Sequence, residues 1–201
     1  MKILNLIWII TLIIDNMLPL ALARFYPNYS HKDMALSVLG SRQSPVKWVY
    51  NAWCIVSGVV FCIAPYAFYQ VNSGGLAVAI WILLAMYGIG CEIVSGFCPL
   101  NENRQEEDAI TKIHGVASAI GFMTLLVVPL LMAILQFQVS EVAFGLISLL
   151  CFIVAFVFFC FFIMGEKEMF ATTVLRYGGF WQRLVLVCCY VPLFVWCVIQ
   201  I

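Results

Sequence analysis

The sequence contains very little charge. Only 10% of its 201 residues are Asp, Glu, Lys or Arg, and the formal net charge at pH 7 is zero. A chain with this balance has no basic surface for nucleic acid, so we expect no nucleic-acid partner. Apolar residues make up 65% of the chain, and the mean hydropathy is +1.06. These values lie outside the range of soluble globular proteins and predict a membrane protein.

Residue patterns of several common cofactor and catalytic sites are missing. Histidine occurs only at His31 and His114, so no helix carries a histidine pair that could clamp a haem. The chain has no glycine-rich nucleotide loop and no G-x-S-x-G elbow. Its nine cysteines fit neither a disulfide framework nor zinc-ligand spacing, and we interpret them as small apolar core residues. We therefore expect no cofactor and no metal.

Long apolar runs determine the predicted architecture. A helix needs about 20 residues to cross a hydrocarbon layer roughly 30 Å thick. Runs such as residues 146–165 lack the apolar-polar alternation of a barrel strand. The sequence thus predicts an all-α polytopic membrane bundle that forms a single transmembrane domain over residues 1–201. Its six predicted spans are Ile3–Ala23, Trp48–Gln70, Gly75–Ser95, Ile113–Gln136, Val142–Met164 and Trp181–Ile201.

The first apolar segment has two features that argue against a span. Its end, Ala21-Leu22-Ala23, resembles a signal-peptide cleavage site. Cleavage would leave the following basic loop outside the cell, against the tendency of Lys and Arg to stay in the cytoplasm. Asp15 costs about 2.5–3.5 kcal/mol near a helix centre, but the many Ile and Leu residues of the segment offset this cost. We therefore predict a true span.

The basic residues are distributed very unevenly. With six spans, nine of the ten Lys and Arg residues fall in alternate loops, and only Lys2 falls on the other side. This asymmetry predicts that both termini lie outside and that residues 24–47, 96–112 and 165–180 are cytoplasmic. The nine residues are Arg24, Lys32, Arg42, Lys47, Arg104, Lys112, Lys167, Arg176 and Arg183.

The first long loop has its own helical pattern. Ser30, followed by Asp33, is a plausible N-cap, and Gly40 offers a stop. Between them Met34 and Val38 share one helical face. We predict a short amphipathic helix that rests at the membrane surface as a lid over a site.

Polar residues from five of the six spans gather in the cytoplasmic half. Asp15 lies deep, and ionisable groups at depth tend to face a bundle interior or a wet cavity. Glu92 and Arg183 lie near helix ends, where we expect their charges to reach the interface. The candidate ligand-binding residues are Asp15, His31, Ser37, Asn51, Glu92, His114 and Arg183.

Three classes of function fit these residues. The leading hypothesis is a polar pocket for a membrane lipid or another amphipathic small molecule. A lipid-modifying enzyme would use His114 or Asp15 for proton transfer, and Arg183 would hold an anionic head group. Alternatively, a small carrier or channel would use Asp15 as a proton or ion site. A non-catalytic scaffold of a membrane complex is the third class.

Five segments resemble, in order, the pattern of the bacterial and archaeal membrane family called domain of unknown function 998. They are YPNYSHKDMALSVLGSRQSP, NAWCIVSG, GIGCEIVSGFCP, HGVASAIGF and GGFWQRL. The resemblance implies a six-span bundle in a prokaryotic inner (plasma) membrane and gives no activity. It covers about residues 24 to 190 and is carried by Tyr29, Ser30, Ser37, Leu39, Gly40, Asn51, Gly58, Gly90, Pro99, His114 and Arg183.

Overall fold

The computed structural model describes residues 1–102 and 108–201. Within these ranges it contains helices and no strands, which confirms the all-α prediction. Six helices are long and apolar enough to cross a membrane. Arg104, one of the nine basic residues counted above, lies outside the described residues. The six helices are α1 (Lys2–Phe25), α2 (Lys47–Asn72), α3 (Gly74–Phe97), α4 (Ala109–Gln138), α5 (Val142–Gly165) and α6 (Gly178–Ile199).

Two of these helices change geometry along their length. In α2 a new helical segment starts at Pro65, because a proline has no N–H to continue the ladder of the preceding turn. In α3 the residues Gly88–Val94 form a π-helical segment between two α-helical parts. A π turn takes one residue more than an α turn, so it redirects the side chains that follow it.

The six helices form a closed ring. Each helix packs against the next one in the chain, and α6 returns to pack against α1. One end of the ring carries the tight turns at Ser73 and Ser140, where the backbone adopts positive φ angles of 48° and 63°. Both chain termini meet at this end, where Lys2 Nζ donates to the carbonyl oxygen of Ile201. We call it the short-turn end, and the opposite end, with the three long loops, the long-loop end.

An apolar core fills the half of the ring near the short-turn end. Trp8 is fully buried, and its ring lies 6.4 Å from the rings of both Phe61 and Trp196. Phe68 packs on the other side of Trp196, with ring centroids 4.9 Å apart. Burial of aromatic rings from α1, α2 and α6 ties the start of the ring to its end.

The first long loop folds across the long-loop end, and we call residues 26–46 the lid segment. The predicted cap is present: the backbone N–H of Asp33 donates to the Ser30 hydroxyl oxygen at 3.3 Å, and that hydroxyl donates to the Asp33 carboxylate at 2.5 Å. The backbone N–H of Met34 closes one turn by donating to the carbonyl oxygen of Ser30 at 2.9 Å. Helical structure resumes only as a short 3-10 helix, Leu36–Gly40, instead of a continuous amphipathic helix. The turn stops because Ala35 is extended and the N–H of Leu36 donates to the side chain of Gln182.

Candidate functional site: a cavity beneath the lid segment

A cavity of about 470 Å³ lies beneath the lid segment, in the half of the ring near the long-loop end. Its walls come from the lid segment, from the starts of α2, α4 and α6, and from the later turns of α3 and α5. This volume is in the range of small-molecule sites. Most of the lining surface is apolar. The polar or ionisable ones, including thiols, are Ser37, Tyr50, Asn51, Cys54, Tyr87, Cys91, Glu92, Ser95, His114, Ser118 and Gln182.

The structure separates the predicted site residues into two groups. Four of them line the cavity, namely Ser37, Asn51, Glu92 and His114. The other three, Asp15, His31 and Arg183, are not among its lining residues. The structure thus brings four of the seven candidate residues to one cavity and leaves three outside its lining.

Glu92 points into the bundle, whereas we expected it to extend to the interface. Its Oε1 atom lies 2.8 Å from the hydroxyl oxygen of Tyr87, a fully buried side chain of the same helix. These two residues are five positions apart, which places them on different faces of a regular α-helix. The π segment Gly88–Val94 brings them onto one face. Glu92 is thus both a cavity residue and a member of a buried polar network.

Asp15 lies behind the cavity, between α1, α2 and α6. Its carboxyl accepts hydrogen bonds from Trp53 Nε1 at 2.7 Å, from the Ser57 hydroxyl at 3.0 Å and from the Tyr190 hydroxyl at 3.1 Å. The Tyr190 hydroxyl in turn lies 2.6 Å from that of Tyr87. Asp15 is therefore connected to Glu92 through two tyrosines. We call Asp15, Tyr190, Tyr87 and Glu92 the carboxyl–tyrosine chain.

His114 has a specific backbone partner. Its side chain is buried, and Nδ1 lies 2.8 Å from the carbonyl oxygen of Cys98. A carbonyl only accepts hydrogen bonds, so Nδ1 carries a proton. This contact ties the start of α4 to the residue that follows α3. His114 thus shapes one wall of the cavity.

Arg183 holds the lid segment. Its Nη1 donates to the carbonyl oxygens of His31 at 2.9 Å and Met34 at 3.1 Å, and also to that of Gly179 in its own helix at 2.7 Å. Its Nη2 donates to the Tyr29 hydroxyl at 2.6 Å. Because the Arg183 guanidinium donates to these acceptors, it holds the backbone of the lid segment in place. In the structure Arg183 therefore binds the lid segment, whereas we expected it to bind an anionic head group.

The same guanidinium influences the titration of two lid residues. Burial lowers the pKa of His31, and the nearby Arg183 charge lowers it further. Burial raises the pKa of Tyr29, although Arg183 opposes that rise. Both shifts favour the neutral forms of His31 and Tyr29 near pH 7, so neither side chain adds a charge beside the Arg183 guanidinium.

The other end of the lid segment is held by α2 and by the loop after α3. Asn51 Nδ2 donates to the carbonyl oxygen of Gly40 at 3.0 Å. Farther out, Tyr26 and Ser41 both donate to Oε1 of Glu102. Asn51 is thus a lining residue that also positions the lid.

A salt bridge joins the same two loops. Arg42 Nη2 lies 2.6 Å from Asp108 Oδ2. The pKa of Asp108 falls to about 2, chiefly because the backbone N–H of Thr111 donates to its carboxyl and because Arg42 adds its hydrogen bond. Asp108 therefore stays ionised at the start of α4, where a negative charge is favourable.

The cavity opens sideways between α4 and α5. Gly115, Ala119 and Met123 line it, and all three are exposed on one face of α4. Ile163 of α5 is also both lining and exposed. Residues four apart on a helix form a continuous stripe, so these side chains form one edge of an opening. The opening lies along two helices that are long and apolar enough to cross a membrane.

Sequence reasoning missed the tyrosines of the chain and the partners of Asp15. Tyr87 and Tyr190 lie within apolar runs, where a tyrosine ring is unremarkable as a core residue. Trp53 and Ser57 are four residues apart and share the face of α2 that meets Asp15. In the sequence, this four-residue spacing of two donors was the one feature that could have indicated the partners of Asp15.

Comparison with known proteins identifies the family of this chain. Residues 9–199 match the model of the family described as "Protein of unknown function (DUF998)". No curated protein and no solved structure matched the chain. The family match includes α1 from residue 9 onward, the other five helices, the lid segment and every residue of the carboxyl–tyrosine chain. The chain therefore belongs to the DUF998 family and is a membrane protein of that family.

Proposed function

We propose that the cavity binds one amphipathic molecule of the membrane, a lipid or a lipid-like small molecule. The observation that carries this proposal is the lateral opening between α4 and α5, which joins a polar interior to the hydrocarbon region. An apolar tail fits the exposed stripe of Ala119, Met123 and Ile163, and the polar end fits the space around Asn51 and Glu92. Mostly apolar cavities with a few placed polar groups are typical of ligand sites.

The charge of the lining indicates the type of polar end. Glu92 is the one acidic side chain of the lining, and no Lys or Arg of the described residues contributes to it. Burying an anion beside a carboxyl without a cation is costly. We therefore expect a head group without net negative charge. This differs from the anionic head group that Arg183 was expected to hold.

Transport of protons or ions through Asp15 is the second candidate function. It is favoured by the carboxyl–tyrosine chain, because hydrogen-bonded carboxyl and hydroxyl groups in series can pass protons. Binding of a lipid and movement of a proton are compatible in one site. No comparable observation favours a scaffold.

Mass spectrometry of the purified protein tests the lipid proposal. Replacing Ala119 by phenylalanine places a ring in the opening between α4 and α5. We expect the amount of lipid that remains bound in native mass spectra to fall about tenfold, a change of about 1.4 kcal/mol in binding free energy. Ala143→Phe is the matched control, because Ala143 is an exposed alanine of α5 that does not line the cavity.

Two outcomes would contradict the proposal. One is a wild-type protein that carries no lipid when purified in a mild detergent from membranes. The other is equal lipid retention by Ala119→Phe, Ala143→Phe and the wild type. Melting temperatures of the three proteins in detergent show whether the added ring has damaged the fold.

We also propose the orientation. The nine basic residues favour a cytoplasmic long-loop end in a plasma membrane, with both termini outside. A cysteine placed at the exposed Gln43 is then expected to resist an impermeant maleimide in intact cells, whereas one at the exposed Ser73 reacts. The parent protein, with its nine native cysteines, supplies the background, and the reverse labelling pattern would refute this orientation.

A further inference from the structure

The carboxyl–tyrosine chain contains more oxygen–oxygen hydrogen bonds than its tyrosines have hydroxyl protons. Three contacts join its four side chains: Glu92 to Tyr87 at 2.8 Å, Tyr87 to Tyr190 at 2.6 Å and Tyr190 to Asp15 at 3.1 Å. Each contact needs one proton between its two oxygens. The two tyrosine hydroxyls supply two protons. The third proton must therefore come from a carboxyl group, so one of the two carboxyls is protonated.

The surroundings of the two carboxyls decide which one holds that proton. Asp15 also accepts from Trp53 Nε1 at 2.7 Å and from the Ser57 hydroxyl at 3.0 Å, and such donors favour its ionised form. Among the residues that the structure describes, the donors beside Glu92 are Tyr87 and the weak thiol of Cys54. The extra proton is thus better placed on Glu92, whose O–H donates toward Tyr87.

Other groups near Asp15 and Glu92 do not change which of the two carboxyls holds the extra proton. Tyr50 of α2 and Cys91 of α3 lie near Glu92, and both are neutral hydroxyl or thiol groups in a buried setting. No Lys or Arg in the described parts of the chain lines the cavity or bonds to either carboxyl. Two ionised carboxylates would face each other there without a cation, which is unfavourable.

We propose that Glu92 and Asp15 share one proton through Tyr87 and Tyr190, that it rests on Glu92, and that a cationic head group entering the cavity drives it to Asp15. The transfer to Asp15 rests on the proposed function, because it requires a ligand in the cavity that Glu92 lines. A cation beside Glu92 stabilises the carboxylate form of that side chain. The site can thereby present a neutral or an anionic carboxyl to its ligand.

The transfer is a concerted shift of three protons. The Glu92 proton passes to the Tyr87 oxygen, the Tyr87 hydroxyl proton passes to the Tyr190 oxygen, and the Tyr190 hydroxyl proton passes to Asp15. Three O–H bonds break and three form, so both tyrosines remain neutral. Glu92 is left as a carboxylate and Asp15 as a carboxylic acid, and no proton is exchanged with water.

Infrared spectroscopy of the full-length protein in dodecyl maltoside micelles, without added ligand, tests the resting state. We expect the C=O band of a protonated carboxyl in the wild type. Glu92→Gln abolishes the band, Asp15→Asn keeps it, and Glu141→Gln, which removes an exposed carboxyl at the short-turn end, leaves it unchanged. Absence of the band from the wild type, or its loss in Asp15→Asn and retention in Glu92→Gln, would overturn the proposal.

Addition of dodecyltrimethylammonium, a cation with an apolar tail, tests the transfer. The Glu92 band is expected to shrink while a carboxyl band appears at a new position, and Asp15→Asn lacks this second band. Tyr87→Phe retains both carboxyls but interrupts the chain, so it shows the resting band and no new one. A wild-type spectrum that the cation leaves unchanged, or a new band of equal size in Tyr87→Phe, overturns the transfer.

The two proposals fail in different ways. The resting band is measured without ligand, so it does not depend on whether the cavity binds lipid. Unchanged lipid retention in Ala119→Phe would overturn the proposed function and leave the resting proton on Glu92 standing. A missing resting band would overturn the shared proton and leave lipid binding standing.

Discussion

Replacing Gly58 by alanine is expected to destabilise the bundle by about 3 kcal/mol, at the upper end of the usual cost of overpacking. A Cβ at this position would lie 2.5 Å from the carbonyl oxygen of Gly88 and 2.9 Å from Cβ of Glu92. The approach is reciprocal, since a Cβ on Gly88 would lie 2.6 Å from the carbonyl oxygen of Gly58. The nearest atom on each side belongs to the backbone, so a movement of the nearby Ile93 side chain would not remove the clash.

Gly75→Ala is the matched control for this substitution. Gly75 is also a helical glycine, but a Cβ there meets nothing within 4 Å. We expect its stability to stay within about 1 kcal/mol of the wild type, as helix propensity allows. Unfolding in mixed micelles of increasing SDS content measures both variants. Equal stability of Gly58→Ala and Gly75→Ala would show that α2 and α3 do not cross as closely as described.

The crossing at Gly58 also has a consequence for the site. It holds the π segment of α3 against α2 and thereby sets the position of Glu92. A larger separation of the helices would move the Glu92 carboxyl away from Asn51 and Cys54, which line the cavity from α2. The small residue at position 58 therefore contributes to the shape of the cavity as well as to stability.

Arg183→Ala is expected to release the lid segment. The change removes four hydrogen bonds from one guanidinium, three to backbone carbonyls and one to the Tyr29 hydroxyl. Hydrogen bonds to a charged group contribute roughly 1.5–3 kcal/mol each. When the lid segment opens, water replaces part of these bonds. We therefore expect Arg183→Ala to lower the local free energy of opening by about 3 kcal/mol. Amide hydrogen exchange over residues 26–40 should then accelerate roughly a hundredfold.

Arg176→Ala provides the control for the loss of a positive charge near the same loops. The Arg176 guanidinium is exposed and lies 5.0 Å above the ring of Tyr177, without a bond to the lid segment. Its removal should leave exchange over residues 26–40 close to the wild-type rate. If Arg183→Ala and Arg176→Ala behave alike, Arg183 is not the anchor of the lid.

The spans could be predicted because hydropathy alone determines them. Each predicted span overlaps one observed helix, and the differences lie at the ends. α4 begins at Ala109 and not at Ile113, because the Asp108 side chain accepts from the N–H of Thr111 at 2.9 Å and caps an earlier turn. Capping is a local contact, and composition averaged over a span does not contain it.

The site could be predicted only where side-chain direction follows from helix position. Asn51 and His114 lie in the first two turns of α2 and α4, and both line the cavity. Glu92 could not be placed, because the π segment before it changes the face on which it lies. Arg183 was placed at the correct helix end, but the path of the lid segment decides whether its long side chain meets a ligand or loop carbonyls.

Photocrosslinking tests the central claim, a cavity that a membrane amphiphile enters between α4 and α5, most directly. A lipid analogue without net negative charge, with a photoreactive group in its acyl chain, is incorporated into membranes that contain the protein, and the labelled peptides are identified. We predict labelling at Met123 and Ile163 that Ala119→Phe suppresses and Ala143→Phe does not. Labelling spread evenly over exposed residues of all six helices, and unaffected by Ala119→Phe, would contradict the claim.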